Sequence, residues 1–199
     1  MVITEKLLVI NKFSRPGRKL DAHLGLIYHY VGVRYQRPLA VFNYFEKDCL
    51  QIGHYSSAHY CIDQEGWTFR FVPDDEVAYH CGTDKIDPKS GKIYTDWARN
   101  RFPKYTNNPA TTSPNMVTLG IELCSDGAQG ELSEATLKAA AELGASLCIK
   151  YGIPVENIGT HNHVVGWKEC PLYWTRYPEK FEQFRLRIID LIGAHYKGI

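Results

Sequence analysis

The residue types best suited to chemistry lie close together near the carboxyl end of the chain. His161, His163, Lys168 and Cys170 all fall within the segment 160–171. Imidazole nitrogen and thiolate sulfur are ligand types that zinc prefers in proteins. The segment therefore predicts a metal site, with a lysine close enough to stabilise negative charge there.

Two further candidates lie inside apolar segments that are distant in sequence. His29 lies in the segment 24–33, and Glu122 is the only charged residue in the segment 116–124. A lone carboxylate is costly to bury, so Glu122 must be paired, protonated or exposed at a site. His29 taken alone is more typical of a core histidine with one satisfied hydrogen bond.

Zinc chemistry would give these separated residues a common role. A catalytic zinc takes three protein ligands and keeps a fourth position for water. His29, one histidine of the 161/163 pair and Cys170 would supply such a set. Residue types alone leave two alternatives open, namely a structural site that uses four of these groups, and a loop whose histidines bind no metal.

Hydrolysis at such a site also needs groups that move protons and stabilise charge. Glu122 would be free to take a proton from the attacking water. Lys168 would stabilise negative charge on the oxygen of the attacked carbonyl. Together with the metal ligands, these two side chains indicate a metal-dependent hydrolase.

The elements that must position these residues alternate between strands and helices. Hydrophobic periodicity and turn residues predict buried strands over 24–33 and 116–124, a hairpin over 58–63 and 67–72, and a short strand or turn over 158–163. They predict helices over 38–50, 133–151 and 178–192. This alternation implies an α/β fold, a mixed β-sheet flanked by helices in a single domain, 1–199.

The patterns also predict details of individual elements. Ser133 can cap the helix over 133–151, and Gly152 lies where a left-handed residue would end it. In the helix over 38–50, we expect the apolar face to consist of Leu39, Phe42, Phe45 and Leu50. The polar segment from 82 to 114 has no clear periodicity and is expected to form a long surface loop.

Composition and charge limit the function classes. The chain has 199 residues, 23 basic against 22 acidic, which gives a net charge of +1 and argues against a nucleic-acid partner. No apolar stretch is long enough for a signal peptide or for membrane insertion, so we expect synthesis in the cytoplasm. The six cysteines form no CxxC pair and are expected to be reduced thiols, mostly buried.

Five sequence blocks in a fixed order resemble a known family. They are Ile27–Tyr30, Ser56–Asp63, Val77–Gly82, Leu119–Cys124 and His161–Pro171. This order is similar to that of the zinc-dependent N-acetylmuramoyl-L-alanine amidases of the amidase-2 type, a superfamily that includes phage endolysins, bacterial autolysins and peptidoglycan-recognition proteins. The likeness spans roughly residues 7 to 190, and it is strongest to the catalytic domains of endolysins from phages and prophages.

The resemblance assigns roles position by position. It implies one zinc ion with His29, His161 and Cys170 as ligands. It implies that Glu122 is the catalytic glutamate and that Lys168 assists it. It implies a peptidoglycan-recognition-protein-like fold for the whole chain, with no separate wall-binding domain.

The same resemblance assigns the residues around the centre. It places His80, Gly82, Asn115 and Trp167 in the groove that binds substrate. We expect His59 and His163 to support the ligands through hydrogen bonds.

Two departures from the family pattern are visible. Ala58 occupies the position where many relatives have a catalytic tyrosine. The interval from His161 to Cys170 is one residue longer than in close endolysin relatives, which leaves His163 as the alternative ligand.

The activity implied by the resemblance is hydrolysis of the amide bond between N-acetylmuramic acid and L-alanine. The partner would be peptidoglycan, both glycan strand and stem peptide, reached from the cytoplasm by holin-dependent release. The residues leave two alternatives open: a non-catalytic peptidoglycan-recognition module, and a cytoplasmic amidase that recycles muropeptides.

Overall fold

The computed structural model describes residues 2–198, and within these residues six strands form one mixed sheet in the order β1-β4-β3-β5-β2-β6. The strands are β1 Ile3–Glu5, β2 Gly25–Val31, β3 Tyr60–Ile62, β4 Thr68–Arg70, β5 Thr118–Cys124 and β6 Ile158–Thr160. Strands β3 and β4 form the expected antiparallel hairpin, and the other neighbouring pairs are parallel. The predicted α/β fold with a mixed sheet is confirmed.

Helices cover both faces of this sheet. They are α1 Pro38–Asn43, α2 Cys49–Ile52, α3 Asp96–Arg101, α4 Pro103–Thr106, α5 Glu134–Tyr151, α6 His161–Val165, α7 Leu172–Arg176 and α8 Pro178–Lys197. A π-helical segment, Tyr44–Asp48, joins α1 to α2. No helix within residues 2–198 is long and apolar enough to span a lipid bilayer.

Helices α5 and α8 pack together over one face of the sheet. Helix α5 starts as predicted, because the hydroxyl oxygen of Ser133 accepts the backbone N–H of Thr136. It ends at Gly152, whose φ of 66° lies in the left-handed region that favours glycine. The core under these helices contains Leu26 and Tyr28 from β2, both fully buried.

The alternation of side chains along β2 and β5 places the candidate residues on the other face. Neighbouring residues in a strand point to opposite sides of the sheet. Since Leu26 and Tyr28 lie in the core beneath α5 and α8, Ile27 and His29 face away from those helices. Glu122, in register with His29, lies on the same side.

The predicted helix over 38–50 is present, but its expected apolar face is only half right. Phe42 and Phe45 are buried, whereas Leu39 and Leu50 are exposed and Cys49 is buried instead. The π-helical segment explains the exchange of Leu50 for Cys49, because its wider turn rotates the residues that follow it relative to an uninterrupted α-helix. Leu39 precedes that segment, so its exposure has a different origin.

The prediction of a surface loop over 82–114 is wrong in part. This segment contains α3 and α4. Tyr94, Phe102 and Tyr105 are buried in a small core on the face of the sheet that carries His29 and Glu122, called the site-bearing face below. The helices are too short for hydrophobic periodicity to reveal them, and their burial depends on contacts with distant segments.

The cysteines agree with the expectation from composition. All six are unpaired thiols in the structure, and all six are buried.

Candidate active site

Three side chains from distant parts of the chain converge on the site-bearing face. His29 comes from β2, His161 is the first residue of α6, and Cys170 precedes α7. Their ligand atoms all lie within 4.8 Å of one another. His29 Nδ1 is 3.1 Å from His161 Nδ1 and 3.9 Å from Cys170 Sγ, and all three residues are buried.

Local structure accounts for this convergence. Strand β6 pairs with β2 so that Thr160 lies opposite Tyr28, and the next residues, His161 and His29, are therefore neighbours. The Thr160 side chain caps α6 and makes His161 its first residue. The backbone N–H of Asn162 donates to the carbonyl of Cys170 at 2.9 Å, which brings the cysteine back to the same point.

The donor set fits a zinc ion. Zinc binds histidine nitrogen at about 2.0–2.1 Å and thiolate sulfur at about 2.3 Å, so tetrahedral ligands lie roughly 3.3–3.6 Å apart. The observed separations of 3.1 Å and 3.9 Å from His29 Nδ1 lie close to that range. A set of two histidines and one cysteine leaves a fourth position for water or substrate, as catalytic zinc sites do.

Burial sets the protonation of these three groups. It lowers the pKa of His29 and of His161 well below the ordinary value, and neighbouring positive charge adds to the effect. Both rings are therefore neutral near pH 7, the form that binds metals. Burial also raises the pKa of Cys170 to about 12, so the thiol needs a bound cation to become a thiolate.

Glu122 lies directly opposite His29 in the register between β5 and β2. Its Oε2 is buried and has no hydrogen-bond partner among residues 2–198. Burial raises the pKa of Glu122 to about 7, although the positive charge of Lys168 acts in the opposite direction. An unpaired carboxylate oxygen is costly inside a protein, so this position is better explained by chemistry than by folding.

A cavity of about 260 Å³ connects these groups. Its lining includes Glu122, Lys168 and all three members of the His29, His161 and Cys170 cluster. Lys168 is exposed, so its ammonium group is available to a ligand in this central cavity.

Two larger cavities adjoin the central one and extend it into a groove. One, of about 540 Å³, shares His80, His161 and Lys168 with the central cavity. The other, of about 490 Å³, shares Tyr30 and Glu122 with it and is lined further by residues of α1 and the π-helical segment. The central cavity is thus the middle of an extended groove that could hold a long substrate.

The four residues predicted to bind substrate all line the 540 Å³ cavity; they are His80, Gly82, Asn115 and Trp167. Asn115 also has a structural task, since its Oδ1 accepts the backbone N–H groups of His80, Cys81 and Gly82. The Lys85 ammonium lies 4.0 Å from the centre of the Trp167 ring.

The side-chain hydrogen bonds of His59 and His163, the two histidines expected to support the ligands, run to groups other than the three ligand side chains. The Nδ1 of His59 accepts the N–H of Gly120, and its Nε2 donates to the carbonyl of Glu76. His163 Nδ1 bonds to Thr160 in the cap of α6, and its ring stacks on Trp97. The structure therefore brings His161 into the cluster and places His163 outside it.

Sequence reasoning missed two residues, one that lines the groove and one that contacts His80. Ser56 lines all three cavities. Thr118 lies within 3.2 Å of His80 and is fully buried. Thr118 is, with Glu122, one of two polar side chains in β5, which is a weak signal, and nothing in the sequence distinguishes Ser56 from other serines.

Comparison with known proteins connects this arrangement to a family. The family model for N-acetylmuramoyl-L-alanine amidase, amidase-2 type, matches residues 20–172. The chain is 30% identical over 191 residues to a probable N-acetylmuramoyl-L-alanine amidase of Bacillus licheniformis, which covers 96% of this chain and 48% of the relative. The chain thus spans about half the length of the curated relatives it matches.

Solved structures agree on the fold. The PlyG catalytic domain superimposes with a TM-score of 0.69 at 17% identity, covering 96% of this chain and 94% of that domain. A mutant endolysin from Bacillus subtilis gives a TM-score of 0.64 at 19% identity, covering 94% of this chain and 99% of that one. At these identities the likeness shows a shared fold.

Proposed function

This chain belongs to the amidase-2 family of N-acetylmuramoyl-L-alanine amidases, and from that membership we propose that it hydrolyses the amide bond between N-acetylmuramic acid and L-alanine in peptidoglycan. One observation carries the proposal. The unpaired carboxylate oxygen of Glu122 and the cluster of His29, His161 and Cys170 line the same cavity. A binding module needs no such buried acid beside its ligand set.

The proposed cofactor is one zinc ion, held by His29, His161 and Cys170. When bound, the ion supplies Lewis-acid polarisation of the scissile carbonyl and makes a water molecule more acidic. The neutral imidazoles of His29 and His161 are already in the ligand form, because burial lowers their pKa values. Binding would then require the loss of one proton, from the Cys170 thiol.

Glu122 is the proposed general base and acid. In its ionised form it takes a proton from the attacking water, and it then returns that proton to the nitrogen of the departing alanine. A pKa raised to about 7 suits both steps near neutral pH. The position of Glu122 on the cavity wall, opposite His29, is compatible with reaching a substrate amide held there.

Lys168 is the proposed electrostatic partner of the reaction. It lines the central cavity and the 540 Å³ cavity, so its ammonium group is available where negative charge develops on the carbonyl oxygen. A positive charge beside a partly enclosed cavity stabilises an oxyanion there more than it would in bulk water.

The groove is the proposed binding site for peptidoglycan, because the scissile bond joins a glycan strand to a stem peptide and both must extend from the central cavity. His80, Gly82, Asn115 and Trp167 line one arm of the groove. The two arms together, of about 540 and 490 Å³, match a substrate with two branches.

The proposed place of action is the cell wall, reached after synthesis in the cytoplasm and release through a holin. The likeness in fold to a solved endolysin is what supports this part of the proposal. The distribution of activity between medium and cells, with and without co-expressed holin, tests it.

The decisive experiment incubates the protein with purified cell wall and measures new alanine amino termini, with and without a zinc chelator. We expect amino termini to appear and the chelator to prevent them. New reducing sugar ends would indicate a glycosidase and contradict the proposal. Wall binding without either product would indicate a non-catalytic recognition module, and cleavage confined to soluble muropeptides would indicate recycling.

A further inference from the structure

We propose that His80 and Thr118 fix the tautomer of His29, so that Nδ1 of His29 is presented to the metal without a proton. In this role His80 is a positioning residue for the metal centre. The inference rests on the proposed zinc site. It adds a set of hydrogen bonds that hold His29 in the ligand tautomer before the metal binds. It follows from a chain of three hydrogen bonds. The donor in the first bond is known, and it determines the donor in the second bond, which in turn determines the donor in the third.

The chain starts at the hydroxyl group of Thr118. Its Oγ1 lies 2.8 Å from the backbone carbonyl of Pro114, which can only accept, so the hydroxyl hydrogen points there. Thr118 Oγ1 is therefore left as an acceptor toward its other neighbours. The thiol of Cys81, 3.6 Å away, can donate to it.

His80 is the second member of the chain. Its Nε2 lies 3.2 Å from both the Oγ1 and the backbone carbonyl oxygen of Thr118. Because both of these atoms act as acceptors here, His80 Nε2 must carry a hydrogen. A neutral imidazole carries one ring hydrogen, so the hydrogen on Nε2 leaves Nδ1 of His80 as an acceptor.

His29 is the third member. Its Nε2 lies 3.1 Å from His80 Nδ1, so Nε2 of His29 must be the donor in that bond. The neutral ring of His29 then has no proton on Nδ1. That atom faces His161 Nδ1 at 3.1 Å and Cys170 Sγ at 3.9 Å, at the centre of the proposed site.

The surrounding backbone keeps His80 in this position. Gly120 lies beside its ring, and a Cβ at Gly120 would approach His80 Cγ to 2.5 Å. Asn115 Oδ1 accepts the backbone N–H of His80 at 3.1 Å. His80 is 8% exposed and both of its ring nitrogens are occupied, so it contributes to the groove through its ring and not through a hydrogen bond.

The expected consequence is a stronger and more selective metal site. A ligand histidine whose other nitrogen donates a hydrogen bond is held in the correct tautomer and becomes more basic. Loss of such a partner typically costs about 10–100-fold in metal affinity. Without His80, His29 could carry its hydrogen on Nδ1 and donate it to His161. That hydrogen bond would block the position of the metal.

The experiment compares the zinc affinity of three variants with that of the wild type by competition with a chelator. His80→Phe keeps a ring of similar size but removes the acceptor, and we expect zinc binding about 10–100-fold weaker. His80→Asn places an amide oxygen near the position of Nδ1, and we expect affinity within about threefold of wild type. His195→Gln, an exposed histidine near the end of α8, serves as the control for loss of a histidine.

A direct readout accompanies the affinities. Nitrogen NMR of zinc-free wild type should show His29 with its hydrogen on Nε2, and His80→Phe should show a mixture of tautomers. A hydrogen on Nδ1 of His29 in the wild type would overturn the inference, and this measurement decides the matter even if His80→Phe does not fold. Equal zinc affinity in folded wild type and folded His80→Phe would overturn it as well.

The same measurements distinguish a failure of the proposed function from a failure of this inference. A wild-type protein that binds no zinc at all contradicts the metal site itself. A wild type that binds zinc through His29, His161 and Cys170, but with the other His29 tautomer before binding, contradicts only the role of His80.

Discussion

Glu122 lies opposite His29 in the register of two parallel strands, β5 and β2, and both side chains face away from α5 and α8. The pairing places a carboxyl group beside a proposed metal ligand without any flexible loop between them. Groups mounted on paired strands at the centre of a sheet are held more rigidly than groups on loops, which favours catalysis. The sheet itself therefore sets the distance between the proposed base and the proposed metal.

Replacing Glu122 with Gln should remove activity but keep the metal. The amide cannot take a proton from water, so we expect turnover to fall roughly 10²–10⁴-fold, the usual contribution of a general acid–base group. Release of alanine amino termini and zinc content, measured on the same preparation, check this. Glu142→Gln, on α5, is the matched control, and near-normal activity in Glu122→Gln would show that another group is the base.

Replacing Cys170 with Ala should remove the metal. The loss of a ligand should weaken zinc binding by more than the roughly 100-fold typical of supporting residues. Equilibrium dialysis followed by metal analysis provides the measurement. Cys148→Ala is the control, because that thiol is also buried but lies in the core under α5 and α8. Wild-type zinc content in Cys170→Ala would remove Cys170 from the ligand set.

The two neighbouring histidines of α6 should behave differently. His161→Ala should lose zinc, because His161 Nδ1 belongs to the cluster. His163→Ala should keep zinc but lower the free energy of unfolding by about 1–2 kcal/mol, because the cap at Thr160 loses a partner. Zinc content and urea unfolding of both variants distinguish the two roles, and the reverse pattern would make His163 the ligand.

Asn115 should contribute to the free energy of unfolding through its hydrogen bonds to the backbone of residues 80 to 82. Asn115→Ala leaves three N–H groups, those of residues 80 to 82, without their acceptor, and we expect a loss of about 2–4 kcal/mol at roughly 1 kcal/mol for each bond. Asn115→Asp retains an oxygen acceptor and should recover most of this stability. Chemical denaturation measures the free energy of unfolding of both variants. Equally small losses in Asn115→Ala and Asn115→Asp would contradict the prediction.

Stability of the zinc-free protein should fall in acid. An unfolded histidine has a pKa near 6.5, whereas burial lowers the pKa of folded His59 to about 4. Above pH 6.5 neither state binds the proton, but between pH 6.5 and 4 only the unfolded state does. The free energy of unfolding should therefore decrease over this window, by up to about 3 kcal/mol from His59 alone.

Urea unfolding at pH 7.5, 6 and 5 measures this dependence. His80, with its pKa lowered to about 3, adds a loss of the same sign, whereas Glu122, with its pKa raised to about 7, opposes both losses. His59→Gln should reduce the slope with pH, although it also costs stability at pH 7.5 because two backbone partners lose their bonds. His195→Gln should leave the slope unchanged, and an unchanged slope in His59→Gln would contradict the assignment.

Local patterns in the sequence were enough for much of the fold. Helix α5 could be predicted with both ends, because its periodicity and its caps at Ser133 and Gly152 are encoded by adjacent residues. The sequence also singled out Glu122, since a lone charge in an apolar strand is too costly to bury unless it serves a site. The resemblance to amidases then joined His29, His161 and Cys170, which local reasoning could only suggest as a set.

Only the tertiary structure decided which histidine of the pair joins the cluster. In a strand, His161 and His163 would lie on the same face, but at the start of α6 residues two apart point about 200° away from each other. That choice depends on where β6 ends and α6 begins. The donor chain from Thr118 through His80 to His29 is equally invisible in sequence, because it joins residues from three segments that only the register of the sheet and the packing of the chain bring within hydrogen-bond distance.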